Sequence, residues 1–165
     1  MMTRHNLTVC LLIAFLFQFL QVNGQEIPLP EHPRPDFQRT SWINLNGIWE
    51  FQFDSLDAGL ENQWYRQAMF TEIITVPFPW GSKLSGVDNQ AHIAWYSRRI
   101  DIPVDWTDLR PFLVIGACDW HTTVWIDGEY VGDHQGGYTP FEFDLSAYTS
   151  AGKAHQLVLR VDDSP

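Results

Sequence analysis

The stretch Val124–Leu145, VWIDGEYVGDHQGGYTPFEFDL, limits what this chain can fold into more than any other. Asp127-Gly128 stands between two apolar-alternating runs, and such a dipeptide supplies the positive φ angles of a two-residue hairpin turn. Before the turn, Val124 and Ile126 point one way and Trp125 the other, as the two-residue period of a strand requires. Gly136-Gly137 then breaks the pattern with backbone that a side chain would resist. Pro140 holds Thr139 extended, and Phe141 and Phe143 face away from Glu142 and Asp144. The passage predicts a hairpin, a tight loop, and a strand whose outer face carries two acids.

Alternation recurs along the chain. In Leu45–Phe53, Asn46-Gly47 makes a turn, after which Trp49, Phe51 and Phe53 share an aromatic face opposite Ile48, Glu50 and Gln52. Ile73–Val76 is a short strand ended by Pro77 and Pro79. In Trp95–Pro103, Tyr96, Arg98, Ile100 and Ile102 oppose Trp95, Ser97, Arg99 and Asp101. Phe112–Trp120 is nearly all apolar, which predicts a central strand covered on both faces. Leu157, Leu159 and Val161 share a face near the C-terminus. Asp54–Arg66 reads as loop with at most a short helical turn, and Asp144 as the cap of a helical turn reaching Tyr148. Ser82–His92 is a polar connection long enough to suggest function. Seven or eight short strands without a sustained helical period predict an all-β sandwich, with a jelly roll as the favoured form.

Two segments precede this domain. Residues 1–24 place Arg4 and His5 before the apolar run Leu7–Leu20 and end on Val22-Asn23-Gly24, the layout of a secretory signal peptide. The run is short of the roughly 20 apolar residues that a membrane span prefers. Cleavage is expected after Gly24, leaving a secreted or periplasmic protein with no membrane attachment. Residues 25–44, with Pro28, Pro30, Pro33 and Pro35, form a proline-rich leader, and the domain proper occupies residues 45–165. Cleavage also removes Cys10, so Cys118 remains alone, without an internal disulfide, and reads as a small buried hydrophobe within an apolar run. The formal charge of -10, from 20 acidic and 10 basic residues, argues against binding a phosphate backbone.

Motifs of the usual chemistries are missing. The histidines at 32, 92, 121, 134 and 155 share no metal-ligand spacing, and no nucleophile elbow, phosphate loop or dinucleotide fingerprint occurs, so no metal or cofactor is assigned. Glu142 and Asp144 are two apart on a strand, roughly 7 Å between Cα atoms, a separation admissible for two-carboxylate chemistry. Two acids on an outward strand face are ordinarily just solvated, and no catalytic residue is assigned to this chain. The eight tryptophans are mostly core, but Trp80 and Tyr138 fall in loops, where aromatic planes could stack on sugar rings.

LNGIWEF, VPFPW, WYSRRIDIP, VWIDGEYVG, HQGGYTPFEFD and LVLRVDD stand in series over Leu45–Asp163. Together they resemble the N-terminal sugar-binding domain of glycoside hydrolase family 2, the family of β-galactosidases, β-glucuronidases and β-mannosidases. The resemblance implies a galactose-binding-like jelly roll, followed in full-length members by an immunoglobulin-like domain and a TIM barrel that holds the catalytic glutamates. It implies a β-galactoside, β-glucuronide or β-mannoside as the sugar, and a chain that is a fragment without hydrolytic activity of its own. It also implies a sugar contact for Asp144, which closes the GGYTPFEFD-like motif, as in glucuronidase-like members, one for Asp163 just past the last strand, as in galactosidase-like members, and a similar part for Asn89 in the loop before WYSRR. A free-standing secreted carbohydrate-binding module is the alternative expectation.

Overall fold

The computed structural model describes residues 26–32, 34, 36, 39–67 and 70–164, so the expected signal peptide lies outside the described residues. Eight strands run through them: β1 (Gly47–Phe53), β2 (Glu72–Val76), β3 (Ile93–Asp101), β4 (Phe112–Ile115), β5 (His121–Ile126), β6 (Glu129–Gln135), β7 (Phe141–Asp144) and β8 (Ala154–Asp162). Six form one sheet in the order β2-β1-β3-β8-β5-β6, while β4 pairs with β7 in a second, two-stranded sheet. All of the pairings are antiparallel. The all-β sandwich expected from the alternation is the architecture found.

Strand parity sets the core. Trp49 and Phe51 of β1, Ile100 of β3, Val124 and Ile126 of β5, and Leu157 and Leu159 of β8 point to the inner face of the large sheet. Leu113, Ile115 and Phe143 of the small sheet close over them, helped by Trp80 and Tyr148 from loops. The β5–β6 hairpin turns at Asp127 (φ 50°) and Gly128 (φ 82°), the positive angles anticipated for that dipeptide. Its turn is clamped from β8: His155 Nδ1 lies 2.7 Å from an Asp127 carboxylate oxygen, and the Gln156 N–H donates to the other at 2.7 Å.

The outer face of the large sheet carries a second, smaller core of Trp95, Trp125 and Val158. The segment between β1 and β2 covers it. Trp64 packs edge-on to Trp95 at 5.9 Å, and Tyr65 stacks on Trp125 at 5.3 Å. Buried Asp54 anchors this cover, accepting from the Ala58 and Gly59 N–H groups (2.8 Å each) and from the Trp95 indole N–H (2.9 Å). Arg160 also reaches out to it, donating to Asp57 at 2.8 Å and to Asp162 at 3.1 Å. The segment is a run of turns, as read from sequence, but it seals a face rather than merely connecting two strands.

One expectation fails. The apolar run Phe112–Trp120 is not a central strand covered on both sides. Strand β4 stops at Ile115, belongs to the two-stranded sheet, and leaves Phe112 and Val114 exposed on its outer side. Cys118 accordingly sits in the bend after β4, half-buried, not within a strand. Part of the proline-rich leader is described as well, and it docks on the domain: Asn44 Nδ2 donates to the Leu29 carbonyl and Asn46 Nδ2 to that of Pro28, both at 3.0 Å.

Candidate functional site

Residues that the sequence offers as sugar contacts fall at two ends of the sandwich. The first end is where β3 begins and β8 stops. Here the Asp163 N–H donates to the His92 carbonyl at 2.7 Å, which fixes Asp163 at the mouth of the loop carrying Asn89. Both side chains are exposed. The bend after β4 joins them: the Trp120 N–H reaches the Asp162 carbonyl (3.4 Å), and the Trp120 carbonyl accepts from the Gly136 N–H (2.8 Å). Gly137 lies so close to Asp119 that a Cβ there would sit 2.3 Å from its carboxylate. The glycine pair thus lets the 136–138 loop fold onto the bend, and Tyr138 emerges from it 91% exposed.

Trp80 belongs elsewhere. Its ring is half-buried against Phe51, Phe53 and Tyr96, with centroids 6.0–6.3 Å apart, so it is a lid on the core and not a free platform. The exposed tryptophan is Trp120, at 49%. Sequence reading passed over it because it closes an apolar run taken for a buried strand. Its neighbour His121 lies 2.9 Å from Asp133, whose other oxygen accepts from the Tyr130 hydroxyl. Those bonds, the Tyr130 one first, hold the Asp133 carboxyl below its ordinary range. This end therefore offers an acid, an amide, two exposed aromatic rings and an ionised carboxylate, the mixture of apolar planes and hydrogen-bonding groups by which saccharides are held.

Asp144 is at the other end. It closes β7 opposite Phe112, and Ser146, two residues on, lines a cavity together with Ile102 just past β3 and Ala151 just before β8. The eight steps from the first to the last of the nine residues of β8, at roughly 3.4 Å each, separate the two ends by roughly 27 Å. One Asp144 oxygen accepts from the Ser146 N–H (2.9 Å) and hydroxyl (2.5 Å), and the other from the Arg110 guanidinium. The Ser146 bonds first, then Arg110, push its carboxyl down to about 2. Capping of the following turn is thus present, as expected, and a salt bridge is added to it. Glu142, two residues earlier, is exposed on the same outer face. No group of three or more His, Cys, Asp or Glu side chains among the described residues could hold a metal ion.

Comparison with known proteins gives the family. Residues 43–164 match the family model described as glycosyl hydrolases family 2, sugar binding domain. A β-glucuronidase of Paenibacillus borealis is 30% identical over 126 residues, covering 73% of this chain and 21% of that protein. The human β-glucuronidase is 34% identical over 120 residues, covering 66% of this chain and 18% of the relative. Among solved structures, β-glucuronidases of Ruminococcus gnavus (TM-score 0.62, 72% of this chain and 21% of that one) and Lactobacillus rhamnosus (TM-score 0.64, 73% and 21%) superpose at 25% identity. The chain spans about a fifth of the length of the curated relatives it matches. With a family model that takes in all eight strands, the chain belongs to the sugar-binding domain family of the family 2 glycosyl hydrolases.

Proposed function

We propose that this domain is the N-terminal part of an exported family 2 exo-β-glycosidase acting on terminal β-glucuronides. The observation that carries this reading is the match of residues 43–164 to the sugar-binding domain, together with β-glucuronidase relatives five times as long. In such an enzyme one carboxyl attacks the anomeric carbon and a second protonates the leaving oxygen, so that the configuration is retained. Neither carboxyl belongs to this chain. Its share is to edge the pocket from the Asp163 end, where Asp163 and Asn89 accept and donate to sugar hydroxyls and Trp120 and Tyr138 present ring faces. Export to the periplasm or the exterior follows from the signal-like residues 1–24.

Sequencing downstream of Pro165 is the direct test, and an in-frame stop without a barrel-length extension overturns the proposal. In the parent enzyme, Asp163→Ala should lower kcat/KM for an aryl β-glucuronide by about tenfold to a hundredfold, the worth of one hydrogen bond to a charged group. The 165-residue chain alone should show no turnover. A second reading, a free-standing carbohydrate-binding module, draws on the exposure of Tyr138 and Trp120. It requires calorimetric heat when the chain meets a glycoside, abolished by Tyr138→Ala.

A further inference from the structure

We infer that His155 is a pH-operated latch, which on gaining a proton releases the turn leading into β8 while it keeps hold of the β5–β6 hairpin. The observation is a ring that is 8% exposed and bonded through both of its nitrogens. Nδ1 lies 2.7 Å from an Asp127 carboxylate oxygen, and Nε2 accepts from the Ser150 N–H at 3.0 Å. An ionised carboxylate only accepts and a backbone N–H only donates. The two partners therefore fix one tautomer of the neutral ring, with its proton on Nδ1 and a lone pair on Nε2.

Protonation acts on the two sides unequally. The imidazolium is a donor at both nitrogens. Toward Asp127 nothing is lost, and the bond becomes an ion pair. Toward Ser150 two donors face each other, so a hydrogen bond gives way to a repulsion. The buried ring cannot swing aside without giving up Asp127 as well, and the turn is the part that moves. Histidine suits such a device because its charge changes between about pH 5 and pH 8. Other charges near the ring are occupied elsewhere. Across on β3 its register partner is the apolar Ile100, whose neighbours Arg99 and Asp101 pair with each other at 3.2 Å on the opposite face. Arg98 donates to the Leu45 and Asn46 carbonyls, Arg66 packs against Gly128, and Glu129 and Lys153 are exposed. Among the described residues, Asp127 is the one charged group bonded to the ring.

The turn is arranged so that the change stays local. Before Ser150, the Tyr148 and Thr149 N–H groups both donate to the Leu145 carbonyl, at 2.9 and 3.0 Å. After it, the Gly152 N–H is held by the Ile102 carbonyl at 2.8 Å. Ser150 and Ala151 lie between these anchors, with Gly152 at a φ of 75° as the hinge. The Ser150 carbonyl accepts from the Lys153 N–H at 3.2 Å, so the movement required is a rotation of the 149–150 peptide that turns its N–H away from the ring. Thr149, Ser150 and Ala151 also line the cavity of about 290 Å³ that Ile102 and Ser146 border. Protonation of His155 thereby reshapes one wall of that cavity.

The test is NMR of the full 165-residue chain between about pH 8 and pH 5. At the upper end, long-range nitrogen–proton correlation should show the His155 proton on Nδ1. On acidification the Ser150 amide should shift with the same midpoint as the His155 ring and lose about tenfold in hydrogen-exchange protection, the worth of one hydrogen bond. The Gln156 amide, which donates to the other Asp127 oxygen, and the Leu159 amide within β8 should keep their protection. His155→Gln cannot titrate, and its Ser150 amide should be indifferent to pH over this range. A ring that carries its proton on Nε2 at the upper end, or that stays neutral throughout, would overturn the inference. So would a Ser150 amide that remains protected while the ring titrates, or one that still titrates in His155→Gln. The unsubstituted chain decides by itself if that variant does not fold.

Discussion

Gly59→Ala tests whether the cover over the outer core is held as the geometry indicates. A Cβ at residue 59 would lie 2.5 Å from the Trp95 Nε1 and 2.7 Å from an Asp54 carboxylate oxygen. Neither can retreat, since Trp95 is fully buried and Asp54 nearly so. The backbone at Gly59 is outside the left-handed region, so the whole effect comes from the added methyl group. To admit it, the Gly59 N–H must leave Asp54 and the indole must give up its bond to the same carboxylate. Two hydrogen bonds to a charged, buried acceptor are worth about 3–6 kcal/mol, less what relaxation recovers, so a loss near 3 kcal/mol is expected. Urea denaturation followed by tryptophan fluorescence measures it. Near-ultraviolet circular dichroism should also lose the signal of the Trp95–Trp125 stack, whose ring centres are 5.3 Å apart. Gly116→Ala is the control: its Cβ meets nothing within 4 Å and its stability should stay within about 0.5 kcal/mol of the parent. A Gly59→Ala protein as stable as that control would refute the account of Asp54 as anchor.

Three further outcomes follow from the local geometry. The Asp144 carboxyl, held at about 2 against an ordinary 3.8, contributes stability at higher pH that is lost as pH falls from 3.8 toward 2. A carboxyl-carbon NMR titration should show its midpoint rising both in Ser146→Ala, which removes the hydroxyl bond, and in Arg110→Ala, which removes the guanidinium bond and its charge. His155→Ala removes both one of the two partners of the Asp127 carboxylate and the ring nitrogen that accepts the Ser150 N–H at 3.0 Å, and should lower the urea midpoint by the equivalent of about 1–3 kcal/mol. Burial raises the Cys118 thiol pKa, so its thiolate is scarce at pH 7 and its reaction with a disulfide reagent should run at least about tenfold slower than that of an exposed peptide cysteine.

How far the sequence disclosed this molecule depends on the range of the signal. Period-two alternation is local, and it placed Trp49 and Phe51 inward and turned the hairpin at Asp127-Gly128 correctly. The same local logic misjudged Phe112–Trp120. An apolar run reads as doubly buried only if partners cover both faces, and β4 pairs with β7 alone, its outer side open at Phe112 and Val114. Contacts between distant residues left no trace at all: the Asp54–Trp95 bond joins positions 41 apart, and nothing near either one announces it.

Separation of the two candidate acids is a different case, because it could have been reasoned from the strand count. Asp144 ends β7 and Asp163 follows the end of β8, with a single full-length strand between them. A turn into one strand that crosses the sandwich must deliver its far end to the opposite side, whatever the pairing partners are. Two acids at successive strand ends are therefore poor candidates for one pocket, in keeping with a resemblance that gives Asp144 to glucuronidase-like and Asp163 to galactosidase-like members. The arrangement of bonds agrees with that division: Asp144 is engaged by Ser146 and Arg110 on the rim of a cavity, and Asp163 is fixed through its backbone beside exposed rings. If Asp163→Ala and Arg110→Ala impaired binding of the same ligand to the same degree, the two ends would be acting as one site. A β8 that spans roughly 27 Å gives them no direct means of doing so.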